Sequence, residues 1–275
     1  MIQLTDVSFG YRKQKQALHS ISLDIKPGII YGLLGKNGEG KTTLLNIMCG
    51  LLFPDSGTCR VFDEAPEKRK VVFLQKIFIL PEEINLPDVT VSDYIKMYAP
   101  FYPSFSNERL QACIELFGLD MGDVTSRLSL GQKKKVAITL ALAANTPVLF
   151  MDEPTNGLDI PSKSIFRKLL GSFVREDQSI IISTHQVRDL ESLIDSVVIL
   201  DNKEIVFNKS LDEISGKLNF RTLEADEEAL YSELSPLGKT GVVRNDSGEK
   251  SHVSLELLFN AMISSKKTIK QIFNA

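Results

Sequence analysis

Gly35-Lys36-Asn37-Gly38-Glu39-Gly40-Lys41-Thr42 fits the pattern G-x-x-x-x-G-K-[ST], a loop that cradles phosphate. The residues on either side supply the context the pattern needs. Ile29-Ile30-Tyr31-Gly32-Leu33-Leu34 is a mostly apolar run suited to a buried strand. Thr43-Leu44-Leu45-Asn46-Ile47-Met48-Cys49 reads as a helix stopped by Gly50. In a strand–loop–helix unit of this kind, Gly35, Gly38 and Gly40 let the backbone turn its N–H groups inward. The new helix adds its positive N-terminal end. Lys41 supplies a mobile cation, and the Thr42 hydroxyl is placed to ligate Mg²⁺.

The chain has 275 residues, enough for one large domain or two modest ones. It is 43% hydrophobic and 24% charged, the composition of a soluble globular protein. A formal net charge of −3 gives no support for a nucleic-acid binder. The three cysteines, Cys49, Cys59 and Cys113, are scattered, which suggests a reducing compartment and no metal cluster. No charged-then-apolar leader opens the chain, and no apolar run reaches the roughly 18 residues of a membrane span. The expectation is a chain that does not cross a membrane by itself.

Upstream of the loop, Ile2, Leu4, Val7 and Phe9, then Ile21, Leu23 and Ile25, alternate with polar residues as half-buried antiparallel strands do. Tyr11 falls in the connection between them, either an exposed loop residue or a ring able to stack on a base. Residues 58–62, 71–73 and 76–80 are strand-like. From 91 to 125 the apolar spacing turns helical, with Val91, Tyr94, Ile95 and Tyr98 and then Leu110, Cys113, Ile114 and Phe117 at i, i+3, i+4, i+7. Ser129 is a reasonable N-cap for the next helix. The triplet Lys133-Lys134-Lys135 is read as a solvated helical face in preference to a nucleic-acid patch.

Val148-Leu149-Phe150-Met151-Asp152-Glu153 is a second buried-strand pattern, and it ends in two acids. Ser179-Ile180-Ile181-Ile182-Ser183-Thr184-His185 is a third, with a polar end. Residues 197–200 and 204–207 form a hairpin across Asp201-Asn202. Parallel strands present ligand groups at their carboxyl ends, so the loop, Asp152, Glu153 and His185 should emerge at one edge. The fold class expected is α/β: a P-loop NTPase core with a mainly parallel sheet, an N-terminal antiparallel β subdomain, a helical insert and a small C-terminal extension.

The ordered set GKNGEGKT, LSLGQ (128–132), VLFMDEP (148–154), GLD (157–159) and His185 resembles the ATP-binding subunit of an ABC transporter, one of the bacterial exporter type. On that resemblance residues 1–207 form the ATPase domain, with the insert at about 91–143, and residues 208–275 the extension. The resemblance implies ATP and Mg²⁺ as ligands. It implies that Tyr11 stacks on adenine and that Gly35, Lys36, Asn37, Gly38, Glu39, Gly40, Lys41, Thr42 and Thr43 form Walker A. Ser129, Gly131 and Gln132 resemble the signature motif, which contacts the γ-phosphate held by a partner subunit. Asp152 resembles the aspartate that holds Mg²⁺, Glu153 the general base, Asp159 the D-loop residue at the dimer seam and His185 the switch histidine.

Two departures stand out. Leu130 fills the third position of a signature that commonly reads LSGGQ. The Q-loop glutamine is replaced by Glu82, in the frame Ile79-Leu80-Pro81-Glu82-Glu83, with Gln75 as the alternative; Glu82 could approach Mg²⁺. The resemblance further implies an integral membrane partner, and a second ATPase subunit arranged head to tail. It implies residence in the cytoplasm, peripheral on the inner face of the cell membrane, with no nucleic acid. The competing reading is a soluble ABC-type ATPase acting on nucleic acid or ribosomes. Residues 219–250 should hold small strands. Leu255, Leu258, Phe259 and Met262 predict an amphipathic helix.

Overall fold

The computed structural model describes residues 1–12, 15–224, 226–235, 238–246 and 248–274. The chain opens with β1 (Ile2–Arg12) and β2 (Lys15–Ile25), then β3 (Ile30–Leu34), which feeds the P-loop and α1 (Lys41–Met48). β4 (Ser56–Val61) follows and completes an antiparallel sheet in the order β2-β1-β4. Next come α2 (Val71–Leu74) and β5 (Ile77–Leu80). The helical stretch contains α3 (Val91–Tyr98), α4 (Asn107–Phe117) and α5 (Leu130–Ala143). The chain then returns through β6 (Val148–Asp152), α6 (Ile160–Phe173), β7 (Ser179–Thr184), β8 (Ser196–Asp201) and β9 (Glu204–Ser210).

The central sheet runs β5-β6-β7-β3-β8-β9, parallel throughout except for the antiparallel edge strand β9. Its strands are continuous apolar runs because both faces are covered. The pleat sends alternate residues to opposite sides. Ile181 and Phe150 enter the core formed with α1 and the N-terminal sheet. Ile180, Ile182, Leu149 and Met151 enter the core formed with α5, α6 and the C-terminal residues. A third cluster, built on Tyr94, Ile95, Leu110, Val136 and Leu140, ties α3 and α4 to α5.

Beyond β9 lie α7 (Leu211–Lys217) and a second antiparallel sheet of β10 (Leu218–Thr222), β11 (Tyr231–Ser235) and β12 (Gly238–Arg244), in the order β10-β12-β11. Two helices close the chain, α8 (Leu255–Ser264) and α9 (Lys266–Asn274). Val242, Leu255, Leu258, Met262 and Ile269 share the cluster that holds Ile180 and Ile182, so they extend the core on that side of the central sheet.

Three local readings of the sequence are corrected. Residues 71–73 form a turn of helix, because only Phe73 finds a core while Val71 and Val72 face solvent; the sheet edge begins at Ile77. Their β-branched shape yields to that tertiary context. Tyr11 lies within β1, whose pairing with β2 extends to Arg12 opposite Lys15. Lys134 is buried at 1% exposure, so the lysine triplet is not a uniformly solvated face.

Candidate functional site

The P-loop closes between β3 and α1 on two left-handed glycines, Gly38 at φ 84° and Gly40 at φ 105°. A Cβ on Gly40 would stand 2.6 Å from the carbonyl oxygen of Ala17, so no side chain fits there. α1 begins at Lys41 with no side-chain cap on its first amides. Those N–H groups and the helix dipole remain available to an anion. Lys41 is buried, and its Nζ donates to the carbonyl oxygens of Gly35 at 2.8 Å and Lys36 at 3.4 Å. Glu39 ties the loop to the β8–β9 hairpin by accepting the Lys203 amide at 3.0 Å.

The strand ends converge on this loop. Thr42 Oγ1 donates to Asp152 Oδ2 at 2.6 Å. The other Asp152 oxygen accepts from the Ser183 hydroxyl at the end of β7. Asp152 and Glu153 are both buried, at 2% and 3% exposure. Glu153 adopts φ 44°, a left-handed conformation that costs an ordinary residue about 1–2 kcal/mol. Its amide donates to the carbonyl of Ser183 at 3.1 Å and to the hydroxyl at 3.2 Å, which hold the turn. The strained turn aims the carboxylate inward, 3.6 Å from Lys41 Nζ and 2.8 Å from His185 Nδ1. An ionised carboxylate can only accept, so this contact puts a proton on Nδ1 of His185.

A cleft of about 430 Å³ follows the loop, lined by Tyr11, Gly38, Gly40, Lys41, Thr42, Thr43, Glu82, Asp152 and Glu153 among others. Tyr11 stands at its rim, 56% exposed, with its hydroxyl 2.9 Å from Thr43 Oγ1 and its ring edge-on to Phe9. Glu82 reaches the cleft and accepts from Asn156 Nδ2 at 3.3 Å. Gln75 ends α2 ahead of β5 and does not line the cleft. Lys36 and Asn37 form the outer turn of the loop. With Gly35 and His185 they border a neighbouring cavity of about 690 Å³.

Ser129, Gly131, Gln132 and Asp159 do not line this cleft. Ser129 caps α5 in a reciprocal capping box with Gln132, and Asp159 caps α6 through the Ser162 amide at 2.8 Å. Those hydrogen bonds from Ser162 hold the Asp159 carboxyl below its usual range. Gly131 lies against the backbone of Gly157, where a Cβ would meet the carbonyl oxygen at 2.9 Å.

Two residues of this site escape a reading of the sequence. Ser183 is visible there only as part of a polar strand end. Lys134 sits in a basic triplet, yet its Nζ donates to the Glu82 carbonyl oxygen at 2.9 Å. Burial pushes its pKa down, against the pull of the Glu82, Asp152 and Glu153 carboxylates. Only the apolar spacing of α5, which turns position 134 toward the sheet, carries a hint of this.

Residues 18–156 match the family described as ABC transporter. The chain is 33% identical over 226 residues to the ABC transporter ATP-binding protein NatA of Bacillus subtilis (strain 168), covering 78% of this chain and 91% of the relative. It is 30% identical over 264 residues to the Nod factor export ATP-binding protein I of Paraburkholderia xenovorans (strain LB400), covering 92% and 83% respectively. The fold superposes on the ATP-binding cassette MJ0796, solved as a dimer in a post-hydrolysis state with ADP and Pi, with a TM-score of 0.68 at 25% identity, covering 76% of this chain and 98% of that one.

The chain belongs to the ABC transporter ATP-binding family. It is a nucleotide-binding, ATP-hydrolysing subunit that powers transport through a membrane-spanning partner. Among the described residues no helix is long and apolar enough to cross a membrane.

Proposed function

We propose that the chain hydrolyses Mg-ATP at two composite sites between head-to-tail copies of itself, and thereby drives export through an integral membrane subunit at the inner face of the cell membrane. The observation that carries this reading is the joining of Lys41, Thr42, Asp152 and Glu153 around one cleft, with His185 held on Glu153 from the neighbouring cavity and Ser129, Gly131 and Gln132 outside the cleft. A second copy brings the missing signature residues to the phosphate.

In this reading Tyr11 stacks on adenine, and the loop amides with Lys41 hold the β- and γ-phosphates. Lys41 now donates to two backbone carbonyls, with the Glu153 carboxylate 3.6 Å away, and phosphate oxygens replace those carbonyls. The Thr42 hydroxyl and the Asp152 carboxylate are hard oxygen donors already 2.6 Å apart, a set that suits Mg²⁺, with Glu82 within the same cleft. Bound there, Mg²⁺ neutralises charge on the phosphates. Glu153 accepts the proton of the attacking water, and His185 contacts the γ-phosphate through the ring edge opposite Nδ1. Asp159, at the start of α6, lies at the seam between the copies.

A groove of about 180 Å³ beside β5 and α3, lined by Tyr94, Tyr98 and Tyr102 and flanked by exposed Met97 and Phe101, supports docking of the membrane partner on the helical stretch. Export rests on the likeness to the Nod factor export protein.

Glu153→Gln tests the chemistry. The variant keeps the shape and one acceptor oxygen but cannot take a proton. It retains ATP binding, loses turnover by about 10²–10⁴-fold and accumulates as an ATP-bound dimer. Near-normal hydrolysis in this variant removes Glu153 from the role of base.

A further inference from the structure

We infer that α8 positions His185 for the reaction, through Glu191 and the Arg188–Glu256 pair. The inference rests on the reading of His185 as a γ-phosphate contact. It adds a role for residues near the C-terminal end of the chain, far in sequence from every motif of the site.

The ring of His185 has one firm side-chain partner, Glu153, and is about one-third exposed. Its place is set by β7, which ends one residue before it, and by the backbone that follows, a segment running through the short turn Val187–Asp189 to Glu191. That segment is held from two directions. On one side α6 grips it: Lys163 Nζ lies 2.6 Å from Asp189 Oδ2 and 3.3 Å from Gln186 Oε1, and Arg167 donates to the Asp189 carbonyl at 3.2 Å. α6 is capped by Asp159, so this grip belongs to the ATPase machinery already described.

On the other side α8 grips it. Glu191 Oε1 accepts the Leu255 amide at 2.6 Å, at the first turn of α8. A carboxylate at a helix N-terminus gains both a charge-assisted hydrogen bond and the favourable end of the dipole. One turn earlier, the Arg188 guanidinium pairs with the Glu256 carboxylate. Beneath these contacts Val187 and Leu190 are buried in the cluster that also holds Leu255 and Leu258. α8 then continues along the cavity of about 690 Å³, where Phe259 and Asn260 form a wall together with Lys36 and Asn37 of the P-loop.

Two fixed points on either side define where the segment sits; one alone leaves it free to tilt. A displacement of about 1 Å in a group that must meet the γ-phosphate can lower turnover by up to about 100-fold. Loss of the α8 grip with the α6 grip intact removes part of that restraint. Nucleotide affinity depends on the P-loop and Tyr11, which α8 does not hold. The expected signature is thus a fall in kcat with KM for ATP preserved.

The test is steady-state ATP hydrolysis by the full chain. Glu191→Ala lowers kcat about tenfold and leaves KM for ATP within about twofold. Glu191→Gln, whose amide oxygen still accepts from Leu255, recovers most of the loss. Arg188→Glu lowers kcat severalfold, and the double variant Arg188→Glu with Glu256→Arg regains it. The Arg188 side chain is 78% exposed, so folding of the Arg188 variant is not at issue, and it probes the same grip as Glu191→Ala. His185→Ala is measured beside them. If it abolishes turnover while Glu191→Ala and Arg188→Glu match or exceed the parent, the positioning role of α8 is overturned and the role of His185 stands. If His185→Ala turns over normally, both readings fall.

Discussion

Replacing Lys134 with methionine separates what a buried cation does for stability from what it does for the site. The lysine is 1% exposed, and burial pushes its pKa below 10.5 despite three nearby carboxylates. Burial therefore outweighs attraction, and the charged form is a net burden on the folded chain at neutral pH. Methionine fills similar volume without the charge. Against that relief stands the loss of the hydrogen bond to the Glu82 carbonyl oxygen, about 1.5–3 kcal/mol for a charged donor. Glu82 lies on an exposed loop, so its carbonyl can turn to water and the loss falls at the low end. The two terms largely cancel, and Lys134→Met changes stability by less than about 2 kcal/mol, or less than about 8 °C in Tm.

Turnover responds differently. The loop carrying Glu82 loses its tether to α5, and ATP hydrolysis falls about tenfold. The alkaline response adds a check. The unfolded lysine keeps its proton to higher pH than the folded one, so the parent gains stability as pH rises through the folded pKa toward 10.5. The methionine variant lacks that gain. Calorimetry from pH 7 to 10, with phosphate release at pH 7, measures both effects. A loss above about 3 kcal/mol at pH 7, the mark of a broken buried ion pair, refutes the balance of terms. So does a parent that loses stability relative to the variant as pH rises in that window.

Tyr11→Ala removes the stacking platform and weakens ATP affinity by about 5- to 150-fold, corresponding to about 1–3 kcal/mol; unchanged affinity in a fluorescent-nucleotide titration removes Tyr11 from the site. Gly40→Ala combines a left-handed φ with a Cβ 2.6 Å from the Ala17 carbonyl oxygen, whereas Gly38→Ala meets open space. Gly40→Ala therefore lowers Tm further than Gly38→Ala, whose strain alone is about 1–2 kcal/mol; equal shifts contradict the close approach. Cys49, Cys59 and Cys113 are buried, and burial raises all three thiols, Cys59 and Cys113 to about 12. At pH 8 the folded chain resists iodoacetamide and the denatured chain takes up three labels by mass spectrometry; labelling of the native chain at a comparable rate counts against these environments.

The legible parts of this protein are those written in short, contiguous patterns. The P-loop, the apolar strands ending in Asp152-Glu153 and Ser183-Thr184-His185, and the cap at Ser129 each depend on a few neighbouring residues. Residues 71–73 illustrate the complement: Val71 and Val72 have strand-forming shapes but face solvent, and the segment forms a turn of helix. Tyr11 looks like a loop residue in the sequence because the pairing of Arg12 with Lys15 leaves no mark in either stretch alone. The lysine triplet misled because a run of charge hides the one position whose helical angle points inward.

The ordered motifs GKNGEGKT, LSLGQ, VLFMDEP and GLD carry the resemblance to an ABC-type ATP-binding subunit, and the apolar runs show which strand ends bear the acids, because both depend on a few neighbouring residues. Which groups meet depends on how the strands are ordered in space. The order of strands in the central sheet sets β7 between β6 and β3, and so places Ser183 on Asp152 and His185 on Glu153. Packing of α8 against the Val187–Asp189 turn joins Leu255 to Glu191, 64 residues earlier in the chain. Contacts of that kind depend on strand order and on the depth at which helices seat, and these are properties of the assembled core.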